Sequence, residues 1–69
     1  MPRVQVVSEK ILERRLELNL LQWQVAEAIG MSQPLYGFME RGISRTTTMP
    51  VLKRLAKVLH CRPKTLLAG

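Results

Sequence analysis

The 69-residue chain contains no aspartate, one cysteine and one histidine, and each scarcity excludes a class of site. A lone cysteine, Cys61, cannot form a disulfide within the chain, and Cys61 with His60 offers too few ligands for a structural zinc ion. There is also no glycine loop that would hold phosphates and no pair of carboxylates beside an evident cleft. We therefore expect no enzyme, no metal, no cofactor and no small-molecule substrate.

Long apolar runs are missing as well. No stretch approaches the roughly 20 apolar residues that span a bilayer, and the N-terminus lacks the pattern of a secretory signal peptide. Hydrophobic residues make up 46% of the chain, which is normal for a folded domain. We expect a single soluble domain of a reducing compartment, the cytoplasm, with no membrane partner.

Acidic residues are missing from the second part of the chain. Residues 1–40 hold four basic and five acidic side chains, whereas residues 41–69 hold seven basic ones and no acidic one. Such a one-sided excess favours a polyanionic partner, with nucleic acid ahead of a membrane surface. The alternative is a basic surface that only keeps the protein soluble.

Helical spacing dominates what is present. Apolar residues recur at intervals of three and four in four segments, and a short fifth segment, "RPKTLLA", follows. The predicted fold class is all-α, a compact five-helix bundle over residues 8–69. The alternation in "VQV" is too short for an independent strand, so residues 1–7 are interpreted as a flexible N-terminal arm. The alternatives are that Arg3 reaches a phosphate or the minor groove of DNA, or that the valines pair with a second subunit.

The stretch "SQPLYGFMERG", residues 32–42, is predicted to be the third helix although it contains Pro34 and Gly37. With Ser32 as the N-cap, Pro34 falls in the first turn, where its missing N–H costs nothing. Gly37 lies in mid-helix and costs about 1 kcal/mol relative to alanine. Close approach of the helix to another surface is the commonest reason for such a glycine.

The second and third predicted helices are joined by a very short turn. Ala26 is small where a following helix would cross closely, and Gly30 permits the sharp turn four residues later. Tyr36 and Met39, three residues apart, form the buried edge of the third helix. These are the steric requirements of a helix-turn-helix, whose second helix is left exposed for a groove of DNA.

From about Ser8 to Leu67 the chain resembles the DNA-binding domain of phage lambda-type repressors and Cro proteins. The stretches that carry the resemblance are "RLELNLLQWQVAEAIGMSQ", "GFMERGI" and "LKRLAKVLHCRPKTLL". The resemblance implies a five-helix bundle that binds operator DNA, usually as a dimer. The leading hypothesis is a bacterial or phage transcriptional repressor that binds a palindromic double-stranded DNA operator as a homodimer.

The resemblance also assigns roles by position. It makes Gln22 a phosphate contact that braces Gln33, the first residue of the recognition helix, and it implies an ion pair between Arg15 and Glu40. The residues expected at base edges are Gln33, Pro34, Gly37, Phe38 and Ser44. The residues expected at phosphates are Gln22, Arg41, Arg45, Thr46 and Lys53, of which the resemblance supplies Gln22 and Arg45, while Arg41 and Lys53 are added for their placement near the loop and the start of the fourth helix. Independently of the resemblance, Leu66 and Leu67, with the N-terminal arm as a further element, are the candidates for the dimer contact.

The predicted DNA face departs from the family pattern because it has few hydrogen-bonding groups. After Gln33 it offers a proline, a glycine and Phe38, which points to readout through few base contacts, many phosphate contacts and DNA shape. Two alternatives place Phe38 in the core or against a protein. The rival function is accordingly a protein-interaction module on the same fold, such as an antitoxin or anti-repressor subunit.

Overall fold

Five helices and two short strands make up residues 2–69, the part of the chain that the computed structural model describes. The predicted helices are present, but the expectation of an all-α fold is wrong because the strands pair with each other. In chain order the elements are β1 (Arg3–Gln5), α1 (Ser8–Glu17), α2 (Gln22–Ile29), α3 (Gln33–Glu40), β2 (Thr46–Thr48), α4 (Met49–Val58) and α5 (Pro63–Leu66).

The N-terminal segment is bonded to the rest of the domain along both of its edges. On one edge β1 pairs antiparallel with β2, with Val4 opposite Thr47. On the other edge Val7 donates its N–H to the carbonyl of Leu66 at 2.8 Å, and Ala68 donates to the carbonyl of Gln5 at 2.9 Å. The structure thus differs from the flexible arm expected for residues 1–7, of which residue 1 lies outside the described part.

The core lies between the helices and is closed by the N-terminal segment. Helix α2 packs against α3 and α4, while α1 packs against α3 and α5. The apolar stripes predicted for these helices are buried, and Val6, which follows β1, joins them at 4% exposure. The buried apolar residues are Val6, Ile11, Val25, Ala26, Ile29, Tyr36, Met39, Leu52, Leu55, Ala56, Leu59 and Leu66.

The turn between α2 and α3 has the geometry that its sequence predicts. Gly30 ends α2 with a left-handed φ of 75°, a conformation that other residues adopt at a cost. The Ser32 hydroxyl accepts the N–H of Leu35 at 3.3 Å and so caps α3, and Pro34 falls in its first turn. The tight turn allows α3 to begin directly beside the end of α2.

Arg14 ties α1 to the C-terminal end of α4. Its guanidinium donates to the carbonyl of Leu59 through Nε at 3.2 Å and Nη2 at 2.9 Å, and to the carbonyl of His60 at 3.2 Å. These carbonyls lack partners within the helix and carry its negative dipole end, so a cation is favourable there.

None of the helices in residues 2–69 has the length and apolar character needed to cross a bilayer. Across the same residues, no three histidine, cysteine or acidic side chains are grouped as metal ligands would be.

The dimer contact expected at Leu66 is contradicted by its position. Its side chain is fully buried in the core, so it is not available to a second subunit. Leu67 is half-buried and forms an isolated bridge with Val6. Leu66 therefore stabilises the monomer fold.

We expect Leu66→Ala to lower the free energy of unfolding by about 3 kcal/mol, because it removes buried methyl groups and leaves a cavity. Leu67→Ala, at a half-buried position, serves as the control and should cost less. Urea unfolding at two protein concentrations measures both. If Leu66→Ala abolished a concentration dependence of the unaltered chain but left the dilute protein equally stable, Leu66 would be a dimer contact after all.

Candidate nucleic-acid interface

Helix α3 divides cleanly between a buried face and an exposed face. Its exposed residues are Gln33, Pro34, Leu35 and Phe38, and the other four are buried. Leu35 and Phe38 are two of six large apolar side chains that are exposed in residues 2–69, so such exposure is not confined to α3. The exposed face of α3 is accessible to a partner outside the monomer.

An open depression of about 330 Å³ lies where the start of α2 meets α3. It is lined by Gln22, Gln33, Pro34, Gly37 and Arg41, all of which are predicted site residues. A Cβ built on Gly37 would lie 3.8 Å from Gln22 Oε1 and 3.9 Å from Gln22 Nε2, which is ordinary van der Waals contact. The monomer therefore has room for a methyl group at this position and does not itself require glycine.

Phe38 lies on the surface beside a cation. Its side chain is 37% exposed, and the Arg41 guanidinium carbon is 5.2 Å from the centre of its ring. Arg41 is further held by an Nε hydrogen bond to the carbonyl of Gly37 at 3.3 Å. A guanidinium over an aromatic face is an attractive arrangement. The alternative that places Phe38 in the core is therefore wrong.

The predicted ion pair between Arg15 and Glu40 is present and links α1 to α3. Arg15 Nε and Nη2 donate to the two carboxylate oxygens of Glu40, the second at 3.0 Å, while Nη1 donates to the carbonyl of Leu20 at 2.8 Å. The Glu40 side chain is 2% exposed and that of Arg15 is 11% exposed. A bidentate geometry of this kind gives strong, directional hydrogen bonds.

Gln22 extends this network to α2. Its Nε2 donates to Glu40 Oε1 at 3.1 Å. The expected bracing of Gln33 by Gln22 is not what the structure describes, because the Gln22 amide is oriented by Glu40. One N–H of that amide is engaged, and the second remains for a ligand in the depression.

Protonation of Glu40 and Tyr36 is set by the same network. Burial by itself would raise the pKa of Glu40, but the hydrogen bonds from Arg15 and Gln22 and the nearby Tyr36 hydroxyl outweigh it and hold the pKa below its usual range. Burial, with the Glu40 carboxylate second, raises the pKa of Tyr36. Among the described groups the Tyr36 hydroxyl reaches no partner with normal hydrogen-bond geometry, although Glu40 is close. Glu40 is thus an anion and Tyr36 a neutral phenol at neutral pH.

The remaining predicted site residues lie on the loop after α3 and on α4. Ser44 donates its N–H to the carbonyl of Phe38 at 3.1 Å, and Arg45 Nε donates to the carbonyl of Gly42 at 3.0 Å. Arg45 and Thr46 are exposed, and so is Lys53 on α4, which does not line the depression. The loop residues therefore adjoin the exposed end of α3.

The hydrogen bonds from Arg3 to Thr46 were not predicted from the sequence. Arg3 Nε donates to Thr46 Oγ1 at 3.0 Å, and Arg3 Nη2 donates to the carbonyl of Thr46 at 2.7 Å. The available signal was the alternation of valines after Arg3 together with three consecutive β-branched threonines, both of which favour strand.

A short turn between two helices, with the second helix exposed and basic groups beside it, defines a helix-turn-helix protein. The sequence model of the family described as Helix-turn-helix matches residues 11–66. The chain therefore belongs to the lambda repressor-type helix-turn-helix family of DNA-binding transcription regulators.

Several solved structures are similar to this chain, and two of them are regulators. One is the master regulator for biofilm formation SinR in complex with DNA, with a TM-score of 0.79 and 20% identity over 86% of this chain and 97% of that one. The other is the restriction-modification controller protein C.AhdI from Aeromonas hydrophila, with a TM-score of 0.76 and 24% identity over 84% of this chain and 86% of that one. At these identities the likeness shows the fold. No curated protein sequence matches the chain significantly.

We expect Glu40→Gln to lower the free energy of unfolding at neutral pH by about 3 kcal/mol, because it leaves the buried Arg15 cation unpaired. The folded pKa of Glu40 is lowered, so its contribution is present above the unfolded carboxyl pKa and is lost as the pH falls through the folded value. Urea unfolding from neutral to acid pH should show the difference between the two proteins shrinking.

Glu17→Gln is the matched control, since the Glu17 side chain is 60% exposed and pairs with Arg14 on the surface. It should change stability by less than about 1 kcal/mol. A destabilisation by Glu40→Gln that stays constant down to acid pH would contradict the role assigned to the Glu40 charge.

Proposed function

We propose that this protein is a transcriptional repressor that binds double-stranded DNA by placing α3 in the major groove. The observation that carries the proposal is the depression in which Gln22, Gln33 and Arg41 converge around a glycine that the monomer does not need. A backbone without a side chain lets the helix approach the base edges closely. SinR, which shares the fold, is described in complex with DNA, and this supports the same mode here.

The exposed face of α3 suggests how sequence is read. The Gln33 amide can donate a hydrogen bond to N7 of an adenine and accept one from its N6 amino group. This pair of hydrogen bonds is the usual contact of glutamine with adenine. Pro34 and Phe38 offer apolar surface suited to thymine methyl groups. With so few polar groups on this face, we propose that base contacts are few and that DNA shape contributes much of the specificity.

Phosphate contacts surround this face. The Gln22 amide keeps one free N–H, and the basic side chains are exposed, so all of them are available to the DNA backbone. The proposed phosphate contacts are Gln22, Arg41, Arg45, Thr46 and Lys53. Ser44, half-buried on the loop after α3, is proposed to reach a base edge.

Binding as a homodimer to a palindromic operator is the second part of the proposal. A symmetric pair of α3 helices would occupy half-sites about one helical turn apart. Because Leu66 is buried, Leu67 alone remains of the proposed dimer contacts.

The test is selection of duplexes from a random pool, followed by binding measurements at several salt concentrations. We expect the selected duplexes to contain a two-fold symmetric sequence, and log Kd to change linearly and steeply with log salt because several phosphates are contacted. Loss of affinity spread over many positions, about 1 kcal/mol or less each, would fit readout of shape.

Failure to enrich any sequence, or an affinity that is insensitive to salt, would overturn the proposal. The rival function, a protein-interaction module, would then gain support from the exposed Leu35 and Phe38. Enrichment of a sequence without two-fold symmetry would leave DNA binding intact and overturn only the homodimer.

Gly37→Ala should separate stability from function. The new methyl group makes only ordinary contact with Gln22, so we expect the free energy of unfolding to rise by about 1 kcal/mol through helix propensity. In the proposed complex the same methyl group would stand between α3 and the bases, and we expect affinity for the selected duplex to fall about tenfold or more. Thermal unfolding and fluorescence anisotropy measure the two effects. Unchanged affinity would mean that Gly37 does not face DNA.

A further inference from the structure

Arg3 makes two hydrogen bonds to Thr46, the first residue of β2, which lies between α3 and α4. Its Nε donates to Thr46 Oγ1 and its Nη2 donates to the Thr46 carbonyl, at 3.0 and 2.7 Å. The two acceptors belong to one residue, one on its side chain and one on its backbone. The planar guanidinium therefore fixes both the position of the Thr46 backbone and the rotamer of its hydroxyl.

The loop is held from both sides. On the α3 side, Ser44 donates its N–H to the carbonyl of Phe38 at 3.1 Å. On the other side, Val6 donates its N–H to the carbonyl of Arg45 at 2.9 Å, and β1 continues this pairing along β2. The backbone of Arg45 and Thr46 is thereby fixed although both side chains are exposed.

The N-terminal segment also forms a wall of the basic surface. Gln5 and Val6 line a depression of about 380 Å³ together with Arg41, Arg45 and the first residues of α1, which include the acidic Glu9. Arg41 and Arg45 therefore line the same depression as Gln5 and Val6, which belong to the N-terminal segment that Arg3 anchors.

We propose that Arg3 is a positioning residue for DNA binding, which holds Thr46 and, through the β1–β2 pairing, Arg45 in the geometry that phosphate contact requires. This inference rests on the proposed function. A loop ordered before binding loses less conformational entropy when DNA arrives, so affinity is higher without any contact between Arg3 and DNA. Strand β1 thus supports the loop residues that are proposed to contact DNA.

The experiment compares Arg3→Ala and Arg3→Lys with the control Lys10→Ala. Lys10 is an exposed cation at the start of α1 whose side chain has no hydrogen bond to the described residues. We expect both Arg3 variants to raise Kd for the selected duplex about tenfold, since an ammonium does not reproduce the two bonds of the fork. The control loses an equal charge but no hydrogen bond to the loop. We therefore expect it to change Kd by no more than about twofold, which is the effect of the charge alone.

The Arg3→Lys variant distinguishes positioning from direct contact. If Arg3 touched a phosphate itself, lysine would restore most of the affinity, since it also binds phosphate as a point charge. Near-normal affinity of Arg3→Lys would therefore overturn the proposal, and so would near-normal affinity of Arg3→Ala.

Amide hydrogen exchange in the absence of DNA provides the second readout. We expect the Val6 and β2 amides to exchange faster in both Arg3 variants, with the core amides of α2 unchanged, because only the loop is released. Unchanged exchange at the loop would refute the positioning role whatever the affinities. If the unaltered chain bound no duplex while Arg3→Ala still loosened the loop, the proposed function would have failed, and the DNA role of Arg3 with it.

Discussion

The ion pair between Arg15 and Glu40, with the Gln22 amide bonded to the same carboxylate, links the three helices that surround the candidate interface. Arg15 comes from α1 and Glu40 from α3, and Gln22 at the start of α2 bonds the same carboxylate. Because the pair is almost fully buried, breaking it would leave a charge without a partner, which is strongly destabilising. The orientation of the Gln22 amide and the polar links from α3 to α1 and α2 therefore depend on a single carboxylate.

The surface built on this network pairs apolar contact with charge. Phe38 and Pro34 supply shape without hydrogen bonds, and Arg41 stacks beside the ring. Apolar contacts alone discriminate weakly between sequences, whereas deformation of DNA depends on its sequence and needs no polar side chain at the base edges. A face of this composition is consistent with an interface that reads the form of the duplex.

Local sequence patterns were sufficient to predict the helices and the tight turn at Gly30, whereas the Arg15–Glu40 pair was predicted through a family resemblance. They were insufficient for β1, because its partners at residues 46–48 and 66–68 are remote in sequence and a three-residue strand carries no periodic signal of its own. The dimer assignment of Leu66 failed for a related reason. An apolar residue has the same sequence signature in a core as in an interface, and it is the packing of α5 against α4 and α1 that decides between them.

The bonding of β1 on both edges also has a consequence for synthesis. A ribosome produces residues 3–7 before their partners at residues 45–48 and 66–68, so the N-terminal strand stays unpaired while the intervening helices are synthesised. Closing contacts of such long separation is slow relative to forming local helices. We therefore expect the helices to assemble before β1 pairs with β2 and orders the loop.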